Sequence, residues 1–221
     1  MMAKITAWLK SLRPVSWVII ISLVMFVILL NIVPQGRDYD RAILPWNATV
    51  NEQGQVLALG LTLNESTLRE ISQLYGRDIE VKLFELPSGE RSAEAYLHSA
   101  YVGTIHTALV AKLNLTPQQL DEYFARGARI TVSKQGAREV LLNSQDTLDL
   151  FNYPIGEITM VPRRRLTAEA IEKRFGAPAS IHTDDDGIAY WYFPDKGLEL
   201  LLLEGSNDIL RFKPLAAFNG K

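Results

Sequence analysis

Three histidines, a triple aspartate, a triple arginine and an aromatic strip are the residues whose types and spacing could do chemistry in this 221-residue chain. His98 and His106 lie eight residues apart and Glu94 is close by, so one hairpin could turn all three to one side. A zinc site wants three or four ligands at tight geometry with a second shell to orient them. No spacing of a ligand motif supports that here, and His98, His106 and His182 read as strand or surface residues. Asp184-Asp185-Asp186-Gly187 is the densest acidic cluster. Calcium loops alternate their acids, whereas three consecutive ones point apart, and Asp-Gly favours a hairpin turn. Arg163-Arg164-Arg165 stands just before a helical stretch, where positive charge opposes the helix dipole. It is therefore not placed for helix stability, and its candidate role is to contact lipid phosphates or an acidic partner. On a strand, Trp191 and Phe193 share one side and Tyr190 and Tyr192 the other. One pair is expected in the core, the other on an exposed face suited to a partner, since Tyr and Trp are enriched at interfaces. There is no nucleophile elbow, no Gly-rich phosphate loop and no Cys. The expectation is a chain without catalysis, cofactor or metal.

The strongest element signal is at the N-terminus. From Pro14 to Gly36 no residue is charged. Residues 15–33 suffice for a spanning helix, which needs about 20 apolar residues to cross roughly 30 Å of hydrocarbon. A cleaved signal has a shorter apolar core and a small-x-small site, absent at Asn31-Ile32-Val33-Pro34-Gln35-Gly36. Lys4, Lys10 and Arg13 precede the run, and Arg37 and Arg41 follow it, so the amino terminus is expected in the cytoplasm. We read the chain as bacterial, with the remainder in the periplasm. Zero Cys excludes disulfides and an acylated lipoprotein. Three of the 23 basic residues precede the run and all 25 acidic residues follow it, so the remainder carries −5. That is a poor footprint for nucleic acid.

Downstream, one pattern occurs three times. Thr67, Ile71, Tyr75; Thr116, Leu120, Phe124; and Thr167, Ile171, Phe175 each set an N-cap, then an apolar residue at +4 and an aromatic at +8. These predict short helices over 66–75, 117–126 and 167–175, with Gly76, Gly127 and Gly176 as left-handed stops. Strand-like stretches follow each helix. Residues 90–113 fit either a hairpin turning near Gly103 or a helix. Segments 130–132 with 139–142, and 188–193 with 198–203, read as hairpins. Residues 158–161 read as a strand, and 207–212 as an edge strand. The class is α+β with short helices on antiparallel sheet.

The third unit, "RLTAEAIEKRFGAPASIHTDDDGIAYWYFPDKGLELLLLEG", resembles the small module of the SmpA/OmlA outer-membrane-assembly lipoproteins. Its tandem arrangement with the unit at 61–115 is similar to the duplicated fold of beta-lactamase inhibitor proteins. The resemblance implies a binding or scaffold module of the cell envelope without catalysis. The chain departs from the lipoproteins in having no lipobox Cys.

The expected layout is a cytoplasmic segment 1–14, a membrane helix 15–33, a juxtamembrane linker with a short strand 34–60, α+β units at 61–115, 116–162 and 163–215, and a tail 216–221. The expected function is a membrane-anchored periplasmic adaptor. Its candidate partner-binding residues are Tyr190, Trp191, Tyr192, Arg163, Arg164 and Arg165, and its partner is another envelope protein. A hydrolase would instead show a deep pocket with carboxylates of displaced pKa. A lipid or small-ligand carrier would show an enclosed apolar cavity.

Overall fold

The computed structural model describes residues 22, 23, 25, 41–132, 136–203 and 205–218. Of the apolar run, only Ser22, Leu23 and Met25 are among them, and these are helical. The rest of that run and its flanks lie outside the described residues. Among the described residues no helix is long and apolar enough to cross a membrane.

Short capped helices arise where the threonines predict them. Helix α1 (Leu68–Tyr75) is bounded by Thr67, whose backbone N–H donates to Glu70 at 2.6 Å. Helix α2 (Pro117–Ala125) has a reciprocal box: Thr116 Oγ1 accepts from Gln119 N, and Gln119 Oε1 accepts from Thr116 N. Each satisfies an orphan donor of the first turn. Helix α3 (Ser144–Leu150), capped by Asn143, was not expected from sequence. Helix α4 (Ala168–Phe175) is capped by Thr167, and Ile171 and Phe175 form its buried stripe. The stops differ in detail from the expectation. Gly76 and Gly176 have positive φ but extended ψ, and Gly127 is not in the positive-φ region at all. Gly127 is required by packing, because a Cβ there would lie 2.2 Å from Val140 Cγ1.

The strands form two antiparallel sheets. Strands β1 (Thr49–Val50), β2 (Val56–Ala58) and β3 (Leu61–Thr62) make a small one. The large one has ten: β4 (Glu80–Glu85), β5 (Arg91–Val102), β6 (Ile105–Leu113), β7 (Arg129–Val132), β8 (Arg138–Leu141), β9 (Ile155–Pro162), β10 (Ser180–Thr183), β11 (Ala189–Phe193), β12 (Leu198–Leu202) and β13 (Ile209–Phe212). Their order is β10-β11-β12-β13-β9-β6-β5-β4-β8-β7. The class is therefore α+β, as expected. The order helix, strand, hairpin occurs as α1–β4–β5–β6 and again as α4–β10–β11–β12.

Residues 90–113 form the hairpin β5–β6, not a helix. A bulge between Leu97 and Ala100 reverses the parity of β5. Ala93, Ala95 and Leu97 point inward before it, and Ala100 and Val102 after it. Tyr101 is exposed and stacks on the His106 ring at 4.9 Å. Strand β13 is not an edge. It lies between β12 and β9, with Leu210 and Phe212 buried. Residues 41–62 are likewise no bare linker, since Ala48, Val56, Ala58 and Leu59 enter the core. Gly197 closes the β11–β12 turn at φ +58 beneath this segment, where a Cβ would meet Val56 Cγ2 at 2.4 Å. The described residues from 41 onward belong to one compact unit.

One face of the large sheet carries the core: Leu83, Leu97, Leu109, Ile158, Met160, Phe193, Leu200 and Phe212. The other carries charges that alternate in sign from strand to strand. Glu199 pairs with Arg211, Arg211 with Glu157 at 3.3 Å, and Lys82 with Glu139 at 3.0 Å. Lys112 stands opposite both Glu157 and Glu94 in register. Opposite charges across strands stabilise such a face modestly.

Burial holds the Glu157 carboxyl above its usual range, although Lys213, Arg211 and Lys112 pull it down and Glu199 adds to the rise. A carboxyl raised in the folded state favours folding when protonated. Stability from this group should therefore increase as pH falls toward the ordinary carboxylate range. Glu80 and Glu85 are shifted the other way, mainly by hydrogen bonds from Lys82 and Arg91, so their contribution is lost only below the ordinary carboxylate range. Denaturant midpoints from pH 7 to 5 should rise more for the wild type than for Glu157→Gln. Equal slopes would contradict this placement of Glu157.

Candidate functional site: an arginine-rimmed cleft

Strand β9 ends at buried Pro162, and the chain then turns across the sheet toward α4. Four contacts hold the crossing. Arg163 N donates to His106 O at 2.9 Å, extending the ladder by one bond. The Arg163 guanidinium reaches His98 O, and Arg165 Nη2 donates to Leu203 O at 2.7 Å. Leu166 N donates to the buried Asp208 carboxylate at 2.6 Å. All three arginines are exposed, and they are brought together along one mouth.

That mouth opens on a cleft of about 820 Å³. Met160, Ile171, Phe175 and Leu210 supply its apolar floor. His106 and Arg174 join the arginine run in its lining. Arg174 lies over the Trp46 ring at 4.2 Å, and Trp46 meets Phe175 edge-on at 6.3 Å. None of the lining residues is Asp or Glu. Among the described residues, none of the four arginines forms an ion pair with a carboxylate. A guanidinium is a planar fork of donors that matches carboxylate and phosphate. Four of them above an apolar floor can receive an anionic group attached to an apolar body.

The structure separates the two halves of the expected partner site. Arg163, Arg164 and Arg165 line the cleft. The aromatic strip lies elsewhere. Trp191 is 8% exposed and belongs to the core, and Tyr192 is 6% exposed because Phe218 packs edge-on against it at 6.4 Å. They do not form an open aromatic face. Tyr190 keeps partial exposure beside a second depression of about 570 Å³ lined by Ser180, Ile181, His182, Asp184, Tyr190 and Tyr192. Its hydroxyl donates to Asp184 Oδ2 at 3.1 Å.

The triple aspartate is a turn, as expected: Asp184 Oδ1 accepts from Asp186 N and Ile188 N, and Gly187 has φ +79. His98 is 3.3 Å from Glu80, whereas His106 is 3.0 Å from Ser99 Oγ. Glu94 accepts from Ser92 and Tyr96 instead. Among the described residues no three His, Asp or Glu side chains are grouped to hold a metal.

Sequence reasoning missed Trp46, His106 and Arg174 as cleft residues. Trp46 sits in a segment read as linker, and Arg174 lies in the last turn of α4, where a cation suits the helix dipole and signals nothing further. The one available signal was the arginine run placed against the helix dipole.

Comparison with family models, curated proteins and solved structures found no match. The cleft is the feature from which function is argued.

Proposed function

We propose that this chain is a single-pass membrane protein of the bacterial envelope. Its N-terminus is cytoplasmic, residues 15–33 anchor it, and the domain from residue 41 is a periplasmic binding module. It acts as an adaptor or accessory subunit, and the arginine-rimmed cleft receives an acidic group. The observation that carries this reading is the cleft itself, with four arginines, an apolar floor and no lining carboxylate. The repeated order of helix, strand and hairpin supports an internal duplication, in keeping with the resemblance to envelope binding modules. A hydrolase reading asks for displaced carboxylates in a deep pocket. Glu157, the carboxyl raised by burial, is on the charged sheet face and is not among the cleft residues.

The test is in-cell crosslinking of the tagged full-length protein, repeated with residues 15–33 replaced by an unrelated anchor helix. A species captured with both anchors and lost in Arg164→Glu/Arg174→Glu is the expected result. Capture that is indifferent to those two charges would refute the cleft as the binding element.

A further inference from the structure

Resting on that reading, we infer that the acidic group held in the cleft is the phosphate-bearing headgroup of an anionic phospholipid from the membrane that anchors the chain. All four cations of the lining besides His106 are arginines and none is lysine. Arginine binds phosphate bidentately, whereas lysine acts as a point charge. The domain is acidic as a whole, so this positive mouth is a local feature and not part of a general basic surface. The floor of Met160, Ile171, Phe175 and Leu210 suits an amphiphile better than a free inorganic ion. Trp46 stands at the lining with its ring between Arg174 and Phe175. An indole is at home at the headgroup level of a bilayer.

Chain length supplies the last argument. Pro45 and Trp46 line the cleft, and Pro45 is twelve residues after Val33, the last residue of the apolar run. Fully extended, that tether reaches about 40 Å. A tether of that length keeps the domain within reach of the anionic headgroups of that bilayer, and each basic residue that comes near the surface adds to the attraction. Phosphate in solution has no such advantage.

The experiment uses the full-length protein in neutral detergent and counts bound molecules by native mass spectrometry. The probes are phosphatidylglycerol, phosphatidylcholine, inorganic phosphate and polyglutamate. Phosphatidylglycerol should bind at least about tenfold tighter than phosphatidylcholine, and Arg164→Glu/Arg174→Glu should lose about tenfold or more of that affinity. Lys4, Lys10 and Arg13 also attract anionic lipid, so the difference between wild type and variant is the decisive quantity. Among the described residues Arg164 makes no hydrogen bond or ion pair, and Arg164→Glu alone should weaken binding with unchanged circular dichroism. If polyglutamate or phosphate binds through these arginines and phosphatidylglycerol shows no preference, the lipid inference falls and the anionic cleft stands. If no probe distinguishes wild type from variant, both fall.

Discussion

Phe193→Ala is expected to cost about 3–5 kcal/mol of unfolding free energy, the usual range for emptying a large aromatic site in a core. Phe193 is 1% exposed on β11, and its ring lies 5.9 Å from that of Phe175. Phe175 in turn meets Trp46, on which Arg174 rests. This stack ties the sheet to α4 and to the cleft wall. Truncation should leave a void that neighbouring strands cannot close, because β11 is hydrogen-bonded on both sides, to β10 and β12. Denaturant unfolding of the full chain in detergent, followed by circular dichroism, reads the loss. Tyr101→Ala is the control. That ring is 63% exposed, so its removal should stay within about 0.5 kcal/mol. A cost below about 1 kcal/mol for Phe193→Ala would mean that α4 is not held as described.

Glu199→Ala should cost a similar amount, about 3–5 kcal/mol, by a different route. The Glu199 side chain is 2% exposed and accepts from Arg211 Nη1 at 3.0 Å and Lys213 Nζ at 2.5 Å. Lys213 is itself mostly covered, at 14%. Removing the carboxylate leaves two cations side by side on β13 and its extension, with Lys213 largely cut off from water and Arg211 left only Glu157 as a partner. The cost is that of the stranded charges more than of the lost attraction. Removing the cationic partners as well, in Glu199→Leu/Arg211→Leu/Lys213→Leu, should therefore recover much of the loss. Additive losses across the three positions would contradict this account.

How far the sequence reveals the fold depends on whether the cause is local. Thr116 with Gln119, and the turn Pro194-Asp195-Lys196-Gly197, are local chemistry, and both elements are where the pattern puts them. Strand β13 was read as an edge because its four residues say nothing of their neighbours. Its place is set by Leu210 pairing with Met160, fifty residues earlier in the chain. The β5 bulge carries no Gly or Pro to mark it, so the parity change that exposes Tyr101 was invisible. Tyr192 is buried by Phe218, a contact across 26 residues that alternation cannot foresee. Helix α3 has a single apolar anchor, Leu150, deeply buried among its seven residues, too little for a stripe. The cleft was half legible. The arginine run stood out for its charge, but its union with Trp46, His106 and Arg174 is made by tertiary packing alone.

The most direct measurement places a photocrosslinking amino acid at Ala170, a lining residue of the cleft, in the full-length protein in cells. The account predicts an adduct with an anionic species that disappears in Arg164→Glu/Arg174→Glu and is absent when the probe sits at exposed Leu148. An adduct at Ala170 that survives both charge reversals, or one shared with Leu148, would contradict it.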